Sequence, residues 1–384
     1  MEIHGGAEDG WGQVVDVFTE NLRSGQDVGA GVTVYAGGRK VVDVWGGLAD
    51  ARTGRPWTAD TPAVVFSCTK GILAICVYLL VQEGKLDLDA PVARYWPEFA
   101  ANGKTEIPVR SLLDHRSGLV ALDRPFTLDE VLAWTPVIEA IEAQKPLWEP
   151  GTAHCYHGMT YGWLVGEVIR RVTGHMPGVY FAERLAVPLG LRTWIGLPPA
   201  EHQSVAHLEP PPTEGPEEVV HPVVDRAFTM GGAYAFPAID GEVTFNNPAI
   251  LEAEVPGANG VTTASSLARL YAACIMEIDG PPLLTPTSIE DAITPQSWGQ
   301  ELFDKMDNGA RWGTGFMLDS PPWRPMLTPR SFGHDGAGGQ VAYADDHHKI
   351  AFAYINNQMG GPSDTRANNL TAALKSCAEH HPIV

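Results

Sequence analysis

The spacing of apolar residues predicts an amphipathic helix at the start of the chain. Within residues 10–23, apolar side chains recur mainly at steps of three and four, the repeat of one helix face. The residues on that face are Trp11, Val14, Val15, Phe18 and Leu22. Two β-branched runs follow and meet at Gly37 and Gly38, which predicts a β-hairpin. The chain should therefore begin with a helix and continue with antiparallel strands.

The next regular segment begins at Ser67. A wide apolar face predicts a helix over residues 67–83, which Gly84 ends. Residues 186–248 are rich in proline and glycine and are predicted to form a long ordered loop or lid. Further helices are predicted near residues 111–115, 128–133, 161–172, 265–277 and 364–379, and strands near residues 313–317, 340–345 and 350–356.

Strands at both chain ends with helices between them predict an α+β fold. We expect an antiparallel sheet assembled from distant segments and flanked by the N- and C-terminal helices, with a mostly helical lobe inserted in the middle. The chain would then be a single domain over residues 1–384. Its α/β lobe would span about 1–66 and 262–384, and its helical and loop-rich lobe about 67–261.

Composition and charge narrow the class of partner. Of the 384 residues, 44% are hydrophobic and 19% charged, which is ordinary for a globular protein. The formal charge of −20 repels phosphate backbones and anionic lipids, so no nucleic-acid partner is expected.

No apolar run approaches the ~20 residues that span a bilayer. Residues 1–10 lack the features of a secretion signal, so a cytoplasmic location is expected. The five cysteines lack metal or disulfide spacing and are predicted to be buried free thiols.

Ser67 and Lys70 form the first candidate chemical pair. They stand three residues apart at the start of a predicted helix and share one face, so the lysine amine can reach the serine hydroxyl. Burial against apolar neighbours would lower the pKa of Lys70 towards neutrality and let the amine accept a proton. This spacing also arises by chance, so the pair alone is a weak motif.

Tyr156 is the second candidate. It precedes the helix predicted over residues 161–172, and from there its phenol can project into a cleft. Beside an ammonium group the pKa of the phenol would fall, and the tyrosine could pass a proton to a leaving group. A half-buried core residue is an equally good interpretation of Tyr156 in isolation.

A glycine-rich run over residues 332–340 is the third candidate. Glycines at 333, 336, 338 and 339 let the backbone approach a ligand closely, and an amide at such a strand edge can donate to an oxyanion. His334 is the polar side chain expected to point into the same space. The competing interpretation is a turn between strands with an incidental histidine.

In this order the three segments resemble a known triplet. Ser67-x-x-Lys70, Tyr156-x-Gly158 and His334-Asp-Gly are similar to the S-x-x-K, Y-x-N and K-T-G motifs of penicillin-binding proteins and class C β-lactamases. The chain looks closest to the β-lactamase-like carboxylesterases called family VIII. Residues 112–119 and 258–271 also resemble segments of that family, and the likeness covers about residues 10–380.

The resemblance implies a serine β-lactamase or DD-peptidase-like fold and a serine hydrolase mechanism. It implies that Ser67 is the acylated nucleophile, Lys70 the general base and Tyr156 the second proton carrier. It also implies an oxyanion hole made by the backbone amides of Ser67 and Ala337. The residues expected to contact the substrate are His334, Gly336 and His157.

Two departures from the family motifs favour an ester substrate. Gly158 replaces the asparagine that would orient an amide, and neutral His334 replaces a charged lysine that meets a substrate carboxylate. Both changes weaken the case for β-lactams. We therefore expect a carboxylesterase that hydrolyses a small-molecule ester with a short acyl or aryl group.

Several alternatives stay open at this level. An amidase, a D-aminopeptidase, a weak β-lactamase or an acyltransferase can use the same scaffold, because water, an amine or another alcohol can discharge an acyl-enzyme. A catalytically silent binding protein is the alternative from another class. The lack of a G-x-S-x-G motif disfavours an α/β-hydrolase. Residues 345–348 are predicted to form a turn rather than a metal site, no cofactor is expected, and either a monomer or a homodimer is compatible with the sequence.

Overall fold

The computed structural model describes residues 2–211, 220–235, 241, 243–304, 307–361 and 364–380. The strands within these ranges are β1 Ile3–Ala7, β2 Gly29–Ala36, β3 Arg39–Asp50, β4 Arg55–Pro56, β5 Ala63–Val64, β6 Thr193–Trp194, β7 Val261–Thr262, β8 Ser297–Trp298, β9 Arg311–Trp312, β10 Met317–Leu318, β11 Ser331–Asp335, β12 Val341–Asp345 and β13 Ile350–Asn356. The α-helices are α1 Gly12–Arg23, α2 Cys68–Gln82, α3 Arg110–Leu113, α4 Leu128–Leu132, α5 Thr135–Ala143, α6 Thr160–Thr173, α7 Pro177–Phe181, α8 Pro222–Thr229, α9 Pro248–Glu252, α10 Ala264–Ile275, α11 Pro286–Ile293 and α12 Arg366–His380.

The main sheet joins the two ends of the chain. Its strand order is β1-β3-β2-β13-β12-β11-β10-β9-β8, with β4 paired to β3, and all neighbouring strands are antiparallel. The predicted hairpin is present, with β2 and β3 joined at Gly37 and Gly38. A smaller sheet, in the order β5-β7-β6, lies beside the start of α2.

Helices cover both faces of the main sheet. Helices α1 and α12 pack on one face, and α10 and α2 pack on the other. Strand β13 shows the consequence in its sequence, because successive residues alternate between the two cores. Ile350, Phe352 and Tyr354 face α1 and α12, whereas the alanines between them face α10. A strand buried on both faces needs a continuous apolar run, which residues 350–355 supply.

Helix α2 forms the centre of the core on the α10 side of the main sheet. Nearly every side chain from Cys68 to Leu80 is buried, so the predicted wide apolar face surrounds most of the helix. Gly84 adopts a φ of 68° just after the helix, a left-handed conformation that costs glycine little. The predicted helix and its stop are confirmed, as are α1, α6, α10 and α12 to within a few residues.

Two sequence predictions need correction. The chain begins with strand β1, not with a helix. The strand predicted over residues 313–317 is mainly the turn between the two-residue strands β9 and β10. The glycine-rich run, which was expected at a strand edge, does start as strand β11, and β11 pairs with β10 and β12.

The predicted loop over residues 186–248 contains more structure than expected. It includes β6, the helical turn Pro199–Ser204 and helix α8. Its residues 212–219, 236–240 and 242 lie outside the described residues.

The arrangement supports a division of the chain into two lobes. We propose one domain over residues 1–384, with an α/β lobe of about 1–66 and 262–384 and a helical lobe of about 67–261. Across the part of the chain that the structure describes, no helix combines the length and the apolar character needed to cross a membrane.

Candidate active site

Ser67 lies at the junction between β5 and α2. The preceding Phe66 has a φ of 44°, an uncommon conformation for a residue with a side chain. The ring of Phe66 packs against that of Phe245 at 5.1 Å, and its backbone oxygen accepts hydrogen bonds from the amide and the hydroxyl of Thr69. These contacts hold a strained turn that presents the Ser67 side chain to a cleft.

Lys70 and Tyr156 both contact the Ser67 hydroxyl. The Lys70 Nζ lies 3.0 Å from Ser67 Oγ and donates a second hydrogen bond to the backbone oxygen of Gly257 at 2.7 Å. The Tyr156 hydroxyl lies 2.7 Å from the same Ser67 Oγ. The structure therefore brings together the hydroxyl, amine and phenol that the sequence places up to 89 residues apart.

Burial makes Lys70 a weak base suited to neutral pH. The side chain is fully buried, and burial lowers the pKa of Lys70 to about 7, although the negative charge of Asp335 partly opposes this shift. The predicted direction of the pKa shift is confirmed. A substantial fraction of the amine is thus neutral at pH 7 and can accept a proton from the hydroxyl 3.0 Å away.

Tyr156 has the opposite pKa shift to the one that its sequence context predicted. Burial raises the pKa of the Tyr156 phenol well above its ordinary value, more than its hydrogen bond with Ser67 lowers it. The expectation that a neighbouring ammonium lowers this pKa is therefore wrong. The phenol stays protonated and donates its hydrogen bond to Ser67 Oγ, with its ring stacked on Trp312 at 5.0 Å.

Ser67 and Ala337, the two residues expected to supply oxyanion amides, both line the cleft. Neither the amide of Ser67 nor that of Ala337 donates a hydrogen bond to another described residue. Gly336 brings them together, because a Cβ atom there would lie 2.3 Å from the backbone oxygen of Val65, just before the Ser67 turn. Only glycine lets β11 approach this closely. The arrangement can supply two donors to an oxyanion.

His334 lies behind the cleft wall. Its side chain is 1% exposed on β11 and is absent from the lining of the cleft. Nδ1 lies 2.7 Å from the Asp335 backbone oxygen, whereas Nε2 has no hydrogen-bond partner among the described residues. Burial lowers the pKa of His334 to about 4, so the ring is neutral near pH 7. The expected neutrality is confirmed, but the buried position argues against direct contact with a substrate.

His157 also points away from the cleft. It is fully buried, and its ring nitrogens lie 2.8 Å from Ser117 Oγ and 2.7 Å from the backbone oxygen of Cys155. Both nitrogens are occupied by the protein itself, which argues against the expected substrate contact of His157. Gly336, the third residue expected to contact substrate, does line the cleft.

Gly158 leaves little space for the asparagine of the family motif. A Cβ atom at this position would lie 3.0 Å from both the backbone oxygen of Ala227 and the ring of Phe228. Helix α8 therefore occupies the volume into which a larger side chain would extend. The packing around residue 158 therefore favours glycine. As a result, the site lacks the asparagine side chain that would orient an amide substrate.

The cleft next to Ser67 encloses about 1150 Å3 and is lined by both apolar and polar side chains. The apolar part of the lining includes Val220, Phe228, Leu302, Phe303 and Trp312. The polar part includes Arg324, Asp335, Asp364, Thr365 and Asn368. Arg324 forms an ion pair with Asp335 at 3.2 Å, so its charge is compensated within the wall.

Sequence patterns did not indicate Glu301. Its Oε2 accepts a hydrogen bond of 2.9 Å from the Tyr156 backbone amide, and the residue lines the cleft. Glu301 lies in an irregular segment, so no periodicity or motif marks it. Trp312 lies in the two-residue strand β9, and no sequence motif indicates its contact with the distant Tyr156 ring.

The remaining candidate ligands and thiols lie elsewhere. Among the described residues, the carboxylates of Asp50 and Glu209 and the imidazole of His207 lie within 4.8 Å of one another, but they do not line the cleft, and Arg52 binds the Asp50 carboxylate. Residues 345–348 include the predicted turn between β12 and β13. All five cysteines are buried and free, as predicted.

Comparison with known proteins identifies the family. The β-lactamase family model matches residues 14–375. The esterase/β-lactamase LipL of Mycobacterium tuberculosis is 33% identical over 386 aligned residues, which cover 94% of this chain and 84% of that protein. A penicillin-binding protein homologue from Caulobacter crescentus has a TM-score of 0.89 at 34% identity, and a family VIII carboxylesterase has 0.88 at 33%. Each of these structures is matched over 98% of this chain and 100% of its own. The chain therefore belongs to the β-lactamase family and has its α+β fold.

Proposed function

We propose that this protein is a serine hydrolase that cleaves small carboxylic esters through an acyl-enzyme on Ser67. One observation supports the proposal most strongly. The Ser67 hydroxyl borders an open cleft and is shared between a weakly basic amine at 3.0 Å and a protonated phenol at 2.7 Å. This is the geometry of a nucleophile with separate groups for accepting and donating a proton.

The proposed acylation gives each group a distinct role. Neutral Lys70 accepts the Ser67 proton as Oγ attacks the ester carbonyl carbon, and the amides of Ser67 and Ala337 stabilise the oxyanion. When the bond to the leaving oxygen breaks, Tyr156 donates its proton to that oxygen. Tyr156 then regains a proton from Lys70, and both of these groups hydrogen-bond Ser67 Oγ in the structure. Water then attacks the acyl-enzyme, and the proton transfers run in reverse.

Several features favour esters over amides and lactams. Gly158 cannot orient an amide, and neutral, buried His334 supplies no positive charge for a substrate carboxylate. The similar proteins include a family VIII carboxylesterase. Aromatic and aliphatic side chains in the lining of the cleft suit a short acyl or aryl group.

Substrate preference tests the proposed function. We expect short-chain p-nitrophenyl esters to be hydrolysed with a kcat/KM roughly 100-fold or more above that for a chromogenic cephalosporin, because the site lacks groups that recognise the lactam. The panel should include an anilide and an added alcohol acceptor, which detect amidase and acyltransferase activity. Preferential turnover of the cephalosporin would contradict the proposal, as would ester hydrolysis that Ser67→Ala leaves unchanged.

The pH profile tests the proposed role of Lys70. Protonated Lys70 cannot accept the Ser67 proton, and the pKa of Lys70 is lowered to about 7. We expect kcat/KM for an uncharged ester to fall about tenfold per pH unit below this value and to be level above it. The raised pKa of Tyr156 predicts no loss from phenol ionisation at moderately alkaline pH. A flat profile from about pH 5 to 8 would rule out Lys70 as the base.

A further inference from the structure

Strand β9 and the connection between β8 and β9 hold Tyr156 from two directions. Trp312, in β9, stacks on the Tyr156 ring at 5.0 Å with an angle of 19° between the planes. Glu301, in the connection before β9, accepts a hydrogen bond of 2.9 Å from the Tyr156 backbone amide. The Leu302 amide also donates to the His154 backbone oxygen at 3.0 Å. Ring and backbone of Tyr156 thus both depend on this segment.

Tyr156 needs such support because its own segment is irregular. Residues 153–157 adopt neither helix nor strand before α6 begins at Thr160. Glu301 accepts the only hydrogen bond that the Tyr156 amide makes to a described residue. An error of about 1 Å in the position of a reacting group can cost roughly 100-fold in rate. A 2.7 Å contact between Tyr156 and Ser67 is therefore sensitive to the loss of this anchor.

The surroundings of Glu301 suit an anchor rather than a solvent-exposed charge. Burial raises the pKa of Glu301, and hydrogen bonds from the Tyr156 amide and the Cys155 thiol oppose this shift. The carboxyl group thus contacts two successive residues of the Tyr156 segment. None of the proposed proton transfers uses Glu301, so the structure gives it no direct part in the chemistry.

We propose that Glu301 is a positioning residue, which fixes the backbone of Tyr156 so that its phenol reaches the Ser67 hydroxyl. The inference rests on the proposed function, because it concerns the step in which Tyr156 transfers a proton. The property that matters is the reach of a hydrogen-bond acceptor to the Tyr156 amide. A glutamine retains this reach without the charge, whereas alanine removes the acceptor.

Three variants separate these properties. We expect Glu301→Ala to lower kcat for a p-nitrophenyl ester by about 10- to 100-fold with little change in KM, since the phenol would lose its alignment. Glu301→Gln should keep most of the activity, because its carbonyl oxygen can accept the same hydrogen bond. Glu301→Asp keeps the charge but shortens the reach, so it should resemble Glu301→Ala and can replace it if the alanine variant does not fold.

A double-mutant cycle with Tyr156→Phe shows whether Glu301 acts through Tyr156. In the Tyr156→Phe background, Glu301→Ala should change kcat by less than about twofold, because the hydroxyl that it positions is gone. An equal loss in both backgrounds would overturn the inference, and so would a Glu301→Gln variant as inactive as Glu301→Ala. Full activity in correctly folded Glu301→Ala or Glu301→Asp would also overturn it.

Glu142→Ala is the matched structural control. Glu142 accepts a hydrogen bond of 2.7 Å from the Trp96 indole, in the helical lobe and away from the cleft lining. Its loss should lower the melting temperature without lowering kcat.

All of these comparisons require that the wild-type protein hydrolyses the ester and that Ser67→Ala abolishes this hydrolysis. Absence of hydrolysis by the wild-type protein would contradict the proposed function, whereas normal kcat in a Glu301 variant contradicts only the positioning role.

Discussion

Replacing Ser67 by alanine should reduce kcat/KM for a short-chain p-nitrophenyl ester by ~10⁴-fold or more, because the variant lacks the oxygen that would carry the acyl group. The oxyanion amides and the cleft would remain, so some residual rate above that of buffer is compatible with the mechanism. The measurement is steady-state hydrolysis at pH 8, with the melting temperature recorded beside it.

Ser288→Ala provides the control for this substitution. It removes another serine hydroxyl near a helix N-terminus, where Ser288 Oγ donates to Gln82 at 2.8 Å, outside the cleft lining. The Ser288 variant should retain wild-type kcat/KM. A Ser67→Ala protein with more than about a tenth of wild-type activity would show that another residue is the nucleophile.

Replacing Lys70 by methionine should lower kcat/KM by ~10³-fold, because the nearest proton acceptor to Ser67 disappears. Methionine is close to lysine in length and apolar, so it suits the fully buried site and should not unfold the protein. The residual activity should no longer fall as the pH drops through about 7. The measurement is kcat/KM from about pH 5 to 9 for both proteins.

Lys104 offers a matched control for Lys70. It is equally buried, and its Nζ donates to three backbone oxygens in the helical lobe, including that of Glu142 at 2.9 Å. Lys104→Met should lower stability, because three carbonyl groups lose their donor, and should leave kcat/KM unchanged. If both lysine variants lose activity equally, the loss in Lys70→Met reflects folding and not proton transfer.

The sequence predicted best the elements whose signal is local. Helix α2 and the β2–β3 hairpin follow from periodicity and from glycines within the segment itself. Strand β1 was missed because its Gly-rich, largely exposed sequence becomes a strand only by pairing with β3. The two-residue strands β9 and β10 were misplaced for the same reason, since their partners and not their own residues define them.

The active-site residues could also be predicted only where the contacts are local along the chain. Ser67 and Lys70 are one helical turn apart, so their contact could be expected from spacing alone. The pKa of Tyr156 depends on how deeply the fold buries its ring, and burial raises this pKa more than the hydrogen bond with Ser67 lowers it. The imidazole of His157 is enclosed by Ser117 and Cys155, which no pattern along the chain indicates.

Covalent labelling tests the central claim most directly, namely that Ser67 is the acylated residue. A fluorophosphonate should add one adduct per molecule, peptide mapping should place it on Ser67, and Ser67→Ala should remain unlabelled under the same conditions. An adduct on a different residue, or equal labelling of folded Ser67→Ala, would contradict the account.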